Sequence, residues 1–186
     1  LIRRQRQMCI RDRREGGPKK CIKPYTPAND TVGPYLGKGN TNIWGQRLAS
    51  TIEKIMHYEL DTIFNEYDRS AQLEYPGGIT TRSFKGADSF WTGLRSSFPH
   101  AKFKVHHVIG RDDKNMPPRA AVRWSLHGKH DGFGAFSEPT GAEVFVLGIT
   151  HAEYGELIQG EPKIRREWTL FDEVSIWKQI LMYKKY

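Results

Sequence analysis

The sequence predicts an α+β fold in which helices come first, an antiparallel sheet follows, and the helices lie on one face of the sheet. Two patterns carry this reading. Apolar residues recur every three or four positions from Ile43 to Tyr67, and apolar and polar residues alternate strictly along AAVRWSLHGKH from Ala120 to His130. Size and composition agree. At 186 residues the chain suits one domain, and a content of 38% hydrophobic and 12% aromatic residues is too high for a disordered chain.

Taken in order, residues 1–14 (LIRRQRQMCIRDRR) stand apart. The step MCIRDR resembles a translation of the transposon-end adapter used in sequencing libraries. The segment is therefore expected to be either foreign to the fold, with the true start lost, or a disordered basic arm. Residues 15–42 are rich in Gly, Pro, Asn and Thr and read as an extended leader. The domain itself is expected over residues 43–186.

Trp44, Leu48, Ile52, Ile55, Met56, Leu60, Ile63, Phe64 and Tyr67 fall on one helical face, with Asn42 placed to cap it. The pattern is long for a globular helix, so a bend or a break is expected near His57. AQLEYPGGITTRSF reads as two strands around a Pro-Gly-Gly turn. In GADSFWTGLRSSFP a second helix carries Phe90, Trp91 and Leu94 and stops at or before Phe98 because of Pro99.

Strands follow in KFKVHHVIG and AAVRWSLHGKH, the latter burying Ala120, Val122, Trp124 and Leu126. A Gly- and Phe-bearing loop over 131–143 leads into the apolar strand VFVLGITHAEY. The closing strand, KIRREWTLFD, is read with Ile164, Trp168 and Leu170 on one buried side and Arg166 among them. EVSIWKQILMY then forms a terminal helix.

The net charge of +8 suggests nucleic acid at first sight, but residues 1–20 alone carry +6. The remainder is close to neutral and lacks a phosphate-tracking stripe, so no nucleic-acid partner is expected. Nor is a membrane, since no run reaches about 18 apolar residues. Cys9 and Cys21 make no disulfide framework, which fits a reducing compartment such as the cytoplasm.

No metal is expected. His127 and His130 are three apart on a strand and point to opposite faces, as do His106 and His107. His130 continues the apolar face of Trp124 and Leu126, where a neutral imidazole serves as general acid or base or is simply a core-edge group. Asp172 closes the last strand, either to orient a histidine or to cap the terminal helix. Trp124, Phe133 and Trp168 offer flat apolar surface to a ring-shaped ligand. His151 reads as a third polar pocket group or an edge residue. Arg166 reads as a carboxylate or enolate binder or as a partner of Glu143.

Several of these steps are similar to the SnoaL-like polyketide cyclase family of the nuclear transport factor 2-like superfamily. They are Gly128-Lys129-His130-Asp131-Gly132, Pro139-Thr140-Gly141, Glu167-Trp168, Asp172 and Gln179. The resemblance covers about residues 43–182. It implies a cone-shaped barrel, a curved antiparallel sheet wrapped around the N-terminal helices, often dimeric, with a pocket for a small apolar or aromatic ligand. It also implies cofactor-independent acid/base chemistry of cyclase, isomerase or dehydratase type, with His130 and Asp172 as the catalytic pair. The chain departs from the family by having no Asp between Gly141 and Lys163. A non-catalytic ligand-binding or oligomerising module of the same fold is the alternative.

Overall fold

The computed structural model describes residues 37–155 and 161–183. The expectations for 1–14 and for most of the 15–42 leader lie outside the described residues.

Asn42 begins the first helix by accepting the Trp44 N–H on its side-chain oxygen at 3.0 Å, satisfying one of the orphan donors of a helix start. Helix α1 runs over Ile43–Met56. Its apolar stripe buries Leu48, Ile52 and Ile55 completely, each contributing roughly 1.5–3 kcal/mol relative to exposure. The bend expected near His57 is a full break, since Tyr58 sits at φ 67 and a short second helix, α2, starts only at Asp61 and ends at Glu66.

Strand β1 (Tyr67–Tyr75) and strand β2 (Ile79–Arg82) flank the Pro76–Gly78 turn, where Gly77 takes φ 80. Helix α3 covers Ser83–Ser97 and ends before Pro99. Four strands follow, β3 (Lys102–Arg111), β4 (Arg119–Lys129), β5 (Glu143–Tyr154) and β6 (Ile164–Phe171), and then helix α4 (Glu173–Tyr183).

The six strands form one sheet in the order β2-β1-β6-β5-β4-β3. All neighbours are antiparallel except β1 and β6, which run parallel. The reason is topological. Helix α3 carries the chain from β2 at one edge to β3 at the other, and the meander β3-β4-β5-β6 then returns until β6 meets β1.

Helix α1 packs on β3 and β4, and α3 packs on β1, so both cover the same face of the sheet. The α+β expectation holds, with a mixed sheet in place of a purely antiparallel one. Lys38–Asn40, the end of the leader, is tied to β3: Val108 N–H donates to Lys38 O at 3.0 Å and Asn40 N–H to Val108 O at 2.9 Å.

Two irregularities matter for the site. Between β5 and β6 the register skips a residue, pairing Glu153 with Arg166 and Tyr154 with Ile164. This bulge at Arg165 puts Ile164 and Glu167 on the same inner face, although they are three apart. Residues 131–142 fold back over α3, where Ala135 N–H donates to Gly93 O at 3.0 Å. That approach requires Gly134, because a Cβ there would stand 2.4 Å from the same carbonyl.

Candidate active site

The inner face of β6 presents Glu167, Thr169 and Phe171, the first two wholly buried. A buried carboxyl demands partners, and the neighbouring strands supply them in a chain. Trp124 Nε1–H of β4 donates to Thr150 Oγ1 of β5 at 3.0 Å. The Thr150 and Thr169 hydroxyls lie 3.0 Å apart, and Thr169 donates to Glu167 Oε1 at 2.7 Å. Since indole only donates and each hydroxyl has one proton, the chain has a single direction: Trp124 to Thr150 to Thr169 to Glu167. Gly148 makes this geometry reachable, because any Cβ there would lie 2.3 Å from the Trp124 ring.

Tyrosines surround the other side of the carboxyl. Trp91 Nε1–H donates to the Tyr67 hydroxyl at 3.0 Å, leaving the Tyr67 proton to act on Glu167. The Tyr75 and Tyr154 hydroxyls are also close enough to feel its charge. Glu167 Oε2 and the Tyr75 hydroxyl are buried and close no hydrogen bond among the described residues.

Burial pushes the Glu167 carboxyl up to about 7, against the pull of the Tyr67 hydroxyl, the Thr169 hydrogen bond and the nearby Trp91 and Tyr75 polar hydrogens. Burial, and then the nearby Glu167 charge, push the Tyr67 and Tyr75 hydroxyls upward, so both stay protonated donors at neutral pH. Because Thr169 already donates to Oε1, a proton on this carboxyl belongs on Oε2.

Beside this cluster lies a cavity of about 340 Å³, bounded by β1, β2, α3, the 135–136 loop and the start of α4. Tyr75 stacks on Phe90 at 3.6 Å, and Phe171 lies alongside at 6.1 Å from Phe90. Tyr75 therefore belongs to both places, its ring lining the cavity and its hydroxyl in reach of Glu167.

The structure does not join His130 to Asp172. His130 is completely buried, with Nδ1 3.2 Å from Thr140 Oγ1 and its ring against Phe98. Its backbone carbonyl accepts the Thr140 and Gly141 N–H groups, so it organises the turn after β4. Asp172 is exposed and accepts the Ser175 N–H on Oδ1 at 2.9 Å. It caps α4, as the alternative reading held.

Of the expected ligand-binding residues, Trp124 faces the interior and Phe133 is 74% exposed. His151, Arg166 and Trp168 lie on the opposite, outer face. His151 stacks on Trp168 at 5.2 Å, and burial holds its imidazole below the usual range. Arg166 lies 3.8 Å from Glu153, not beside Glu143, which approaches His127 at 3.1 Å. Among the described residues no cluster of three His, Cys, Asp or Glu side chains is placed to hold a metal, and no helix is long and apolar enough to cross a membrane.

The expected faces of the last strand are thus corrected. Trp168 and Leu170 face outward, and Glu167, which the sequence offered only as part of a Glu-Trp step, faces in. The bulge at Arg165 explains the slip, since one extra residue turns every later side chain to the other face. Thr169 and Phe171, alternating with Glu167, were the available signal, but the larger apolar neighbours outweighed them.

This arrangement of helices and sheet recurs in solved structures. IdmH of Streptomyces antibioticus, a provisional polyketide cyclase, superposes with a TM-score of 0.58 at 19% identity, over 74% of this chain and 98% of its own. A provisional SnoaL-like polyketide cyclase of Jannaschia sp. CCS1 gives 0.57 at 14%, over 76% and 96%. The chain has the SnoaL-like fold. A third neighbour in shape, AclR of Streptomyces galilaeus, is provisionally a hydroxylase and gives 0.56 at 15%, over 77% and 83%. At such identities the likeness concerns fold alone. No protein-family model and no curated protein sequence matches the chain.

Proposed function

We propose that the protein is an acid/base catalyst acting on a small, largely apolar carbonyl compound, with Glu167 as the group that carries the proton. The observation behind this is the placement of one buried carboxyl, poised at about 7, behind a tyrosine that lines an aromatic cavity. A catalytic acid or base works best when its pKa is near the operating pH.

In the ionised state Glu167 draws a proton from the carbon beside the carbonyl by way of the intervening Tyr75 hydroxyl, which passes its own proton to Oε2 as its oxygen receives the substrate's. The C–H bond breaks, an O–H bond forms, and the electron pair moves onto the carbonyl oxygen as an enolate. Tyr75, a hydroxyl that burial keeps protonated, then donates to that oxygen. Return of the Oε2 proton to another carbon gives isomerisation; attack of the enolate on a second carbonyl, whose oxygen then takes that proton, gives ring closure; and loss of a β-hydroxyl, which leaves as water with that proton, gives dehydration. The provisional cyclases of like fold support the ring-closing branch, and the apolar lining supports a ring-shaped substrate.

The test needs no prior substrate. Exchange of α-protons for deuterium in a panel of small ring ketones, followed by proton NMR, reads the first step directly. The wild type accelerates exchange in at least one ketone, and Glu167→Gln lowers that rate by about 10²–10⁴-fold with its unfolding transition intact. Exchange at the full rate in the folded variant contradicts the assignment.

A second reading, a ligand-binding or self-associating module without catalysis, is favoured by the outer face. There Leu147, Ile149 and Leu170 are 45%, 52% and 66% exposed, and Ile149 and Leu170 are direct cross-strand neighbours. Background exchange by a wild-type protein that sediments as a homodimer is the result that reading requires.

A further inference from the structure

The cavity beside Tyr75 has a charge character that the proton-transfer chemistry does not use. It has one charged lining residue, Glu173, and no Lys, Arg or His among those that bound it. Glu173 stands in the first turn of α4 and reaches the β1–β2 turn, where its Oε2 would lie 3.0 Å from a Cβ built on Gly77. It forms no ion pair among the described residues. Gly77 thus gives the carboxylate a seat at the rim that a side chain would crowd.

The rest of the lining is uncharged, a mixture of aromatic, aliphatic and small residues. The parallel rings of Tyr75 and Phe90 are joined by Phe136 and Phe171, while Gly86, Ser89 and Gly93 of α3 keep that side shallow. Aromatic faces around a single carboxylate favour a cation, by ring quadrupole and by direct attraction, and disfavour an anion. A volume of about 340 Å³ is near the lower end of the roughly 300–1,000 Å³ typical of ligand sites. One or two fused rings fill it.

We propose that this cavity takes a flat compound of one or two rings bearing a basic nitrogen, that neutral analogues bind more weakly, and that Glu173 rejects anionic ones. This rests on the acid/base reading for the role of the cavity as substrate site. It deepens that reading by naming a ligand class and a specificity residue.

Three probes of equal shape separate the terms: naphthylmethylamine (cation), naphthol (neutral) and naphthoate (anion), titrated calorimetrically into the full chain at neutral pH and low salt. The amine binds tightest and the carboxylate weakest, with about tenfold or more between them. In Glu173→Gln that ratio collapses towards one, with naphthoate gaining affinity. Because Glu173 is half-exposed, the variant folds, and unchanged naphthol binding verifies the cavity.

Naphthoate binding as well as or better than the amine, an unchanged ratio in Glu173→Gln, or no binding of any probe overturns the proposal. The proton-transfer reading fails separately. Loss of α-proton exchange with the binding order intact sinks that reading and leaves the ligand class standing.

Discussion

Ionising a fully buried carboxyl costs free energy, and Glu167, which forms no ion pair among the described residues, is such a group. The Thr169 hydrogen bond at 2.7 Å and the neighbouring Tyr67, Trp91 and Tyr75 polar hydrogens soften the cost without removing it. The consequence is a stability that depends on pH with a definite sign. The folded-state value, about 7, lies above the ordinary 4.5, so the folded chain holds this proton more tightly than the unfolded one. The site therefore imposes no penalty below about pH 4.5, and the penalty grows as pH rises through about 7. Its full size is about 3 kcal/mol. Urea unfolding at pH 5 and pH 8 should show Glu167→Gln gaining stability relative to the wild type at the higher pH by an amount of that order. An equal difference between the two proteins at both pH values would mean that Glu167 is not held away from its ordinary ionisation.

At the scale of elements, β6 and α4 divide the work. The strand aims Glu167 inward, and the helix supplies the rim, with Asp172 as its cap and Glu173 at the cavity. Gln179 of α4 locks the helix to the sheet by pairing with both the N–H and the carbonyl of Phe145, at 2.9 and 3.1 Å. Replacing Asp172 by Ala should cost about 1 kcal/mol of stability through loss of the cap while leaving α-proton exchange per folded molecule unchanged. A large fall in exchange without loss of stability would return Asp172 to the chemistry.

Much of this scale was legible in the residues. Asn42 capped α1, Pro99 followed the end of α3, the Pro-Gly-Gly step turned the first hairpin, and Trp124 faced inward with Val122 and Leu126. What was not legible depended on one inserted residue. Alternation in KIRREWTLFD was read through Trp168 and Leu170, the largest apolar side chains, but the bulge at Arg165 reversed the phase after Ile164. The surroundings of His130 were not legible for a related reason. Its burial was foreseen, but its neighbours, Thr140 and Phe98, are set by a loop fold that periodicity does not describe.

For the molecule as a whole, the α+β plan followed from element order, and the parallel contact of β1 with β6 came from the path of α3 across the sheet. That contact matters for the site. It sets Leu73 and Glu74 of β1 against Glu167 and Trp168 of β6, which brings Tyr75 and Tyr67 to the carboxyl. A fold shared with provisional cyclases and a provisional hydroxylase fixes none of the chemistry; the proposed proton transfer rests on the buried carboxyl and its neighbours. The most direct test is a carbon-detected NMR titration of the full chain labelled at the glutamate carboxyl, with the Glu167 signal assigned by its absence in Glu167→Gln. The account predicts a midpoint near 7. A midpoint in the ordinary range near 4.5 would contradict it, because a carboxyl ionised like one in water is neither desolvated nor poised to carry a proton.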